Sequence, residues 1–261
     1  MTIHKTIPFV YQCMMSYFHV IRSWLWMVIC LFLMACTEDE PPKNTPGYSP
    51  NGGLEGTTET GFHYLALGDS YTIGHGVSKS QSWPVLLTKA LLEAEVSMAD
   101  PEVIAATGWT TSDLLRAIKS KDDLRETYDL VSLLIGVNNQ FQGRSLSQFE
   151  QEYRALLSEA LAFAGNNKNR VFVLSIPDYS VTPVGASRDV EQIRQEIDAF
   201  NASKKRITEE MGVQYFNITG ISRDAANNPA LIASDGLHPS GKMYQFWMES
   251  IFSRIKNMLM S

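Results

Sequence analysis

Beyond Cys36 the chain contains no cysteine, since the three it carries are Cys13, Cys30 and Cys36. The rest of the sequence therefore has no disulfide framework, no thiol nucleophile and no thiolate metal site. Histidine is almost as scarce there, with only His63, His75 and His238. Any imidazole base must be one of those three. Cationic clusters are missing too. The chain has 28 Asp+Glu against 22 Lys+Arg, and Lys5 and Arg22 are the only charged residues ahead of Cys36. No basic stripe is present to follow a phosphate backbone, so nucleic acid is not an expected partner. Long apolar runs are lacking as well. The run Trp24 to Ala35 falls short of the roughly 20 residues that a membrane-spanning helix needs. At 44% hydrophobic and 19% charged, the sequence can still build an ordinary core without covalent staples.

The apolar run follows Arg22 and ends in Leu33-Met34-Ala35-Cys36. Its length suits the apolar core of a signal peptide. The terminal tetrapeptide resembles the lipobox of bacterial lipoproteins. That resemblance implies cleavage before Cys36, acylation of its thiol and new amino group, and a stable membrane anchor. A plain signal peptide is the alternative. Residues 1–35 are thus expected to be a leader. Because residues 1–21 carry only Lys5 as a fixed positive charge, translation is expected to begin at Met14 or Met15. Residues 36–60 read as a flexible tether, acidic at Thr37-Glu-Asp-Glu40 and interrupted by Pro41, Pro42, Pro46, Pro50, Gly52, Gly53 and Gly56. Acidic residues directly after such a cysteine resemble the export signal of surface lipoproteins in some bacteria with two membranes. The implied location is the outer membrane, at its periplasmic face or at the cell surface.

From residue 61 to 261 strand-like and helix-like patterns alternate, as in βαβ units with a parallel sheet. Strands are predicted at Phe62–Leu67, Glu102–Ala106, Leu130–Ile135, Val171–Ile176 and Val213–Phe216. Helices are predicted at Ser82–Leu92, Thr111–Lys119, from a capping box at Ser147-Gln-Phe-Glu150, at Val190–Met211 and at Gly241–Met258. The fold class is α/β: a three-layer α/β/α sandwich of the flavodoxin-like kind around a five-stranded parallel sheet. No repeat and no second folded domain is evident.

Chemistry is concentrated where strands end, which is where open α/β sheets bind ligands. The first strand runs into Gly68-Asp69-Ser70, a tight turn bearing a hydroxyl. Alone, this tripeptide is no more than a turn with a helix cap. A serine also needs a base. His63 stands at the entrance of the first strand, far from Ser70, and reads as structural. His75 follows Ser70 closely and is a candidate pocket residue. His238 lies after the fifth strand in Ser234-Asp-Gly-Leu-His-Pro239, with Asp235 three residues earlier. That spacing lets one carboxylate hold one ring nitrogen and leave the other free. Donors for a developing oxyanion are available at Gly108, after the second strand, and at Asn138, after the third.

These blocks, Gly68-Asp69-Ser70, Gly108, Gly136-Val-Asn138 and Asp235-Gly-Leu-His238, resemble in order those of the SGNH/GDSL hydrolase family. The resemblance spans about residues 62–255. It implies the α/β/α fold, Ser70 as nucleophile, His238 as base and Asp235 as its orienter. It also implies an oxyanion hole of the Ser70 N–H, the Gly108 N–H and the Asn138 amide. No metal or organic cofactor is implied. Many members carry aspartate where this chain has Asn139, a position expected to brace its loop. Gly-x-Ser-x-Gly is absent, which argues against an ordinary α/β-hydrolase elbow. Candidate pocket residues are Asp69, His75, Trp109, Asn139, Arg144 and Tyr179, with Gln140 and Phe141 beside them. The implied activity is carboxylic ester hydrolysis on a lipid or lysophospholipid-type ester, or alternatively removal of O-acetyl groups from glycans. A rival of another class is a non-catalytic surface lipoprotein that binds glycan or protein. A single-domain solute-binding protein is weaker, lacking a second lobe to close over its ligand.

Overall fold

The computed structural model describes residues 53–261. The leader, the lipobox, Cys36, the choice of start codon and most of the expected tether lie outside the described residues.

Five parallel strands form one sheet in the order β2-β1-β3-β4-β5. They are β1 (Tyr64–Gly68), β2 (Glu102–Ala105), β3 (Leu130–Leu134), β4 (Val171–Leu174) and β5 (Gln214–Phe216). Each residue of β1, β3 and β4 is buried, as apolar runs covered on both faces should be. Gly68 pairs with both Ala105 and Leu134, so β1, β2 and β3 end level. This order reverses direction at β1/β3, the switch point where such sheets open a crevice at their carboxyl ends.

Helices cover both faces. The chain after β1 enters a single turn, α1 (Ser70–Ile73), then α2 (Trp83–Glu93). After β2 comes α3 (Thr111–Lys119), and after β3 the short α4 (Val137–Phe141) followed by α5 (Leu146–Phe163). After β4 come α6 (Pro183–Ala186) and α7 (Val190–Glu210), and after β5 α8 (Thr219–Arg223) and the closing α9 (Gly241–Met260). α2 packs on α9, while α5 packs between α3 and α7. The core is anchored by fully buried Trp83, Trp247, Tyr64 and Phe172. Among the described residues no helix is long and apolar enough to cross a membrane.

Several boundaries differ from the sequence reading, and the following bear on the site. α5 starts two residues early, because the Ser145 hydroxyl, not Ser147, accepts from the Gln148 N–H at 3.2 Å. Ile135 and Ile176 leave their strands to form the turns of the sheet's carboxyl rim. The expected tether also ends early. Leu54 is buried, its N–H donates to Asp100 Oδ1 at 2.8 Å, and Thr58 N–H donates to the Met98 carbonyl at 2.8 Å. Residues 54–60 are therefore docked on the domain. One buried leucine outweighs the turn-rich composition that predicts a free spacer.

Candidate active site

Gly68 closes β1 where the backbone of β3 leaves no room for a side chain. A Cβ there would stand 2.5 Å from the Leu134 carbonyl oxygen and 2.1 Å from Thr72 Oγ1. Asp69 then caps α1, its Oδ1 accepting from the Tyr71 N–H at 3.0 Å. Ser70 opens the helix. Its carbonyl accepts from Gly74 and His75 N–H, whereas its hydroxyl has no hydrogen-bond partner among the described residues.

The opposing imidazole arrives on the loop before α9. His238 Nδ1 is 2.6 Å from Asp235 Oδ2, and Asp235 Oδ1 accepts from the N–H groups of Leu237 and His238, each at 2.9 Å. The second carboxylate oxygen is thus devoted to the ring. Partial burial pushes the Asp235 carboxyl up, but the hydrogen bonds from His238 and Leu237 outweigh it and hold the group below its ordinary value. Burial pulls the His238 imidazole down, and the Asp235 contact opposes that without reversing it. The His238 ring packs edge-on against Tyr71, centroids 5.8 Å apart, so it lies beside the residue that follows Ser70. Ser70 Oγ and His238 are not hydrogen-bonded here. Such contacts are often long in unliganded sites and tighten on binding.

The turns after β2 and β3 complete the rim. Gly108 has φ 85°, with nothing within 4 Å of where a Cβ would stand. The Asn138 side-chain amide donates to the Trp109 carbonyl at 2.9 Å, which ties the β3 turn to the β2 turn and leaves one amide hydrogen unassigned. His75 joins the remaining loops: its Nδ1 is 2.9 Å from Thr107 Oγ1 and its Nε2 is 3.9 Å from Asp235 Oδ2. Ser70, His75, Gly108, Asn138, Asp235 and His238, drawn from four loops, are therefore linked at one end of the sheet. His63 is at the other end, its N–H bound to Asp129 Oδ2 at 2.8 Å.

Three of the candidate pocket residues are buried in the structure. Asp69 is fully buried beneath α1. Asn139 is 1% exposed and spends its amide on Thr111, accepting from the N–H at 3.0 Å and donating to the hydroxyl at 2.7 Å. It braces the start of α3. Tyr179 is buried and lies under the exposed Phe141, centroids 5.9 Å apart. His75 and Arg144 are exposed and Trp109 is half-buried. Gln140 is buried, its amide on Glu196 at 2.7 Å.

Sequence reasoning missed three residues here. Thr107 orients His75. Arg188 lays its guanidinium 4.0 Å over the Phe141 ring. Lys204 is fully buried and donates to the Ile135 carbonyl at 3.0 Å, at the base of the Asn138 turn. Burial pulls the Lys204 amine down to about 7 and pushes the Asp69 carboxyl up to about 7, each charge partly sustaining the other. Only Lys204 had a signal in the sequence, because it falls between Phe200 and Ile207 on the buried stripe of α7.

A parallel-sheet α/β fold whose carboxyl-end rim carries a hydroxyl without a partner and a carboxylate-held imidazole is the arrangement that serine-type hydrolases use. The comparisons agree on the class and carry it to a family. The pattern of the GDSL-like Lipase/Acylhydrolase family matches residues 66–246, and the chain belongs to that family of ester-bond hydrolases. No curated protein matches significantly. Similar solved structures include the psychrotrophic esterase EstA from Pseudoalteromonas sp., at 21% identity and TM-score 0.58, covering 76% of this chain and 99% of that one. The lipase/acylhydrolase from Enterococcus faecalis is 17% identical with TM-score 0.59, covering 75% and 96% respectively. The acetylxylan esterase Axe2 from Geobacillus stearothermophilus is 18% identical with TM-score 0.57, covering 77% and 96%. At these identities the likeness is one of fold.

Proposed function

We propose that this protein is a serine esterase that works through an acyl-enzyme on Ser70. The observation carrying the proposal is the 2.6 Å His238–Asp235 pair packed against Tyr71, next to an unpartnered Ser70 hydroxyl. Ser70 Oγ attacks the ester carbonyl as His238 Nε2 takes its proton. Asp235 fixes the tautomer and stabilises the imidazolium. The Ser70 and Gly108 N–H groups and the Asn138 amide receive the oxyanion. His238 then protonates the leaving alcohol, and water repeats the cycle to free the acid. Replacing Asn138 with alanine is expected to lower kcat by about 100- to 1000-fold with little change in KM, measured by steady-state hydrolysis of a short p-nitrophenyl ester. An unchanged kcat would remove Asn138 from the mechanism.

Ile73 and Phe141, 45% and 40% exposed, follow Ser70 and Asn138 by three residues each. Exposed apolar side chains one helical turn beyond Ser70 and Asn138 support a lipid or lysophospholipid-type acyl ester as substrate. The likeness to an acetylxylan esterase supports glycan O-deacetylation as the second reading. Rates across acyl-chain lengths, set beside release of acetate from an acetylated glycan, separate the two. A fluorophosphonate probe separates both from a non-catalytic binder, which it would leave unlabelled.

The Leu33-Met34-Ala35-Cys36 sequence supports the further proposal of an acylated lipoprotein held at the outer membrane. Cys36→Ala is expected to move the protein from the membrane to the soluble fraction on cell fractionation. Retention of that variant in the membrane would reject the anchor.

A further inference from the structure

The loop after α1 brings a second imidazole to the carboxylate that holds His238. Gly74 and Gly76, with φ 82° and 87°, flank His75 and turn the chain over the Asp235 loop. The packing is close: a Cβ on Gly76 would stand 3.2 Å from Asp235 Oδ2. Thr107 Oγ1 holds His75 Nδ1 at 2.9 Å, which leaves Nε2 facing Asp235 Oδ2 across 3.9 Å. That gap is too long for a hydrogen bond. A metal ion with bonds of about 2.0–2.2 Å to each atom spans it. The His238 ring is 4.5 Å from the His75 ring, and donor atoms of all three side chains lie within 4.8 Å of one another. The side chains of His75 and Asp235 are 48% and 30% exposed, so an ion reaches them directly from solvent.

Two imidazoles and one carboxylate make a donor set that suits zinc better than the hard cations calcium and magnesium. The Thr107 hydroxyl supplies the outer hydrogen bond that ligating histidines normally have: with Nε2 on the metal, Nδ1–H donates to it.

We propose that His75, Asp235 and His238 form a reversible inhibitory zinc site superimposed on the proposed catalytic pair. The inhibition follows from the distances. In a tetrahedral zinc site, ligand atoms stand about 3.3 Å apart. Asp235 Oδ2 and His238 Nδ1 are 2.6 Å apart, too close for both to ligate one ion as they stand. Zinc on Nδ1 breaks their hydrogen bond, and zinc on Nε2 occupies the nitrogen that must take the Ser70 proton; either way His238 is lost as a base. Zinc occupancy and a working base exclude each other. The inhibitory consequence rests on His238 being the base; the binding site itself does not.

The test uses the full chain, first freed of metal with a chelator. Zinc is expected to suppress hydrolysis of a short p-nitrophenyl ester, excess chelator to restore it, and magnesium at equal concentration to leave it unchanged. His75→Ala is expected to need at least about 10- to 100-fold more zinc for the same fractional loss. Titration calorimetry of zinc into the Ser70→Ala protein should show one bound ion, lost when His75→Ala is added. Equal zinc sensitivity of wild type and His75→Ala, equal inhibition by magnesium, or the absence of a calorimetric site would overturn the proposal. A calorimetric site in a chain without esterase activity would uphold the zinc site and reject the esterase assignment.

Discussion

Ser70→Ala is expected to reduce hydrolysis of a short p-nitrophenyl ester by about 10⁴- to 10⁶-fold while leaving the fold in place. The kinetic part follows from the chemistry: without the oxygen no acyl-enzyme forms, and only binding and the oxyanion donors remain to assist water. The structural part follows from what the hydroxyl does in the resting protein. It holds no hydrogen bond, so its removal orphans no buried donor or acceptor. Nor does it cap α1, since Asp69 does that through the Tyr71 N–H. The thermal midpoint should stay close to that of wild type, and labelling by a fluorophosphonate should vanish. These readouts separate a lost nucleophile from a damaged domain. Turnover near the wild-type level with the fold intact would refute the assignment of Ser70.

The parallel sheet was legible in the sequence because its strands are buried on both faces and therefore read as apolar runs. Leu130–Leu134 and Val171–Leu174 are the clearest examples. The convergence of the candidate residues was legible for a different reason. A parallel sheet places every strand's carboxyl end at one rim, so residues far apart in sequence, such as Ser70 and His238, could be expected to converge. Register sharpens this, since Gly68 is level with both Ala105 and Leu134. What the sequence hid was the use made of polar side chains inside the protein. Asn139, expected to brace its loop but also counted among the pocket candidates, does only the former: α4 is a helix, and adjacent helical positions face different ways. One of the pair reaches the rim while the other is buried on Thr111. Asp69 and Tyr179 are buried as well: proximity in sequence to Ser70 or to the end of a strand does not decide burial. Leu54 shows the converse, an apolar residue in a Gly/Pro-rich segment whose side chain is buried while its N–H donates to Asp100.

Asp235→Asn tests the other half of the site, and its expected cost is about ten-thousand-fold in kcat. The substitution is nearly isosteric. The asparagine oxygen can still accept from the Leu237 and His238 N–H groups that Asp235 Oδ1 binds at 2.9 Å, so the loop should keep its shape. The amide nitrogen then stands where Oδ2 faces His238 Nδ1. As a donor it obliges Nδ1 to accept, which moves the ring proton to Nε2, the atom that must receive the Ser70 proton. The variant therefore has an intact loop and the wrong tautomer. The wild-type pH profile, recorded with a chelator present, supplies the matching control. Burial is the chief influence on His238 and favours the neutral ring, so its folded value lies below the ordinary 6.5 despite Asp235. Activity should accordingly hold at neutral pH and fall on the acid side, with its midpoint below 6.5, as the imidazole gains the proton that blocks it as a base. In Asp235→Asn the opposing charge and hydrogen bond are gone, so the same limb should move to still lower pH even as the plateau drops. An acid limb displaced upward, or a plateau within tenfold of wild type, would show that Asp235 neither orients nor charges the His238 ring.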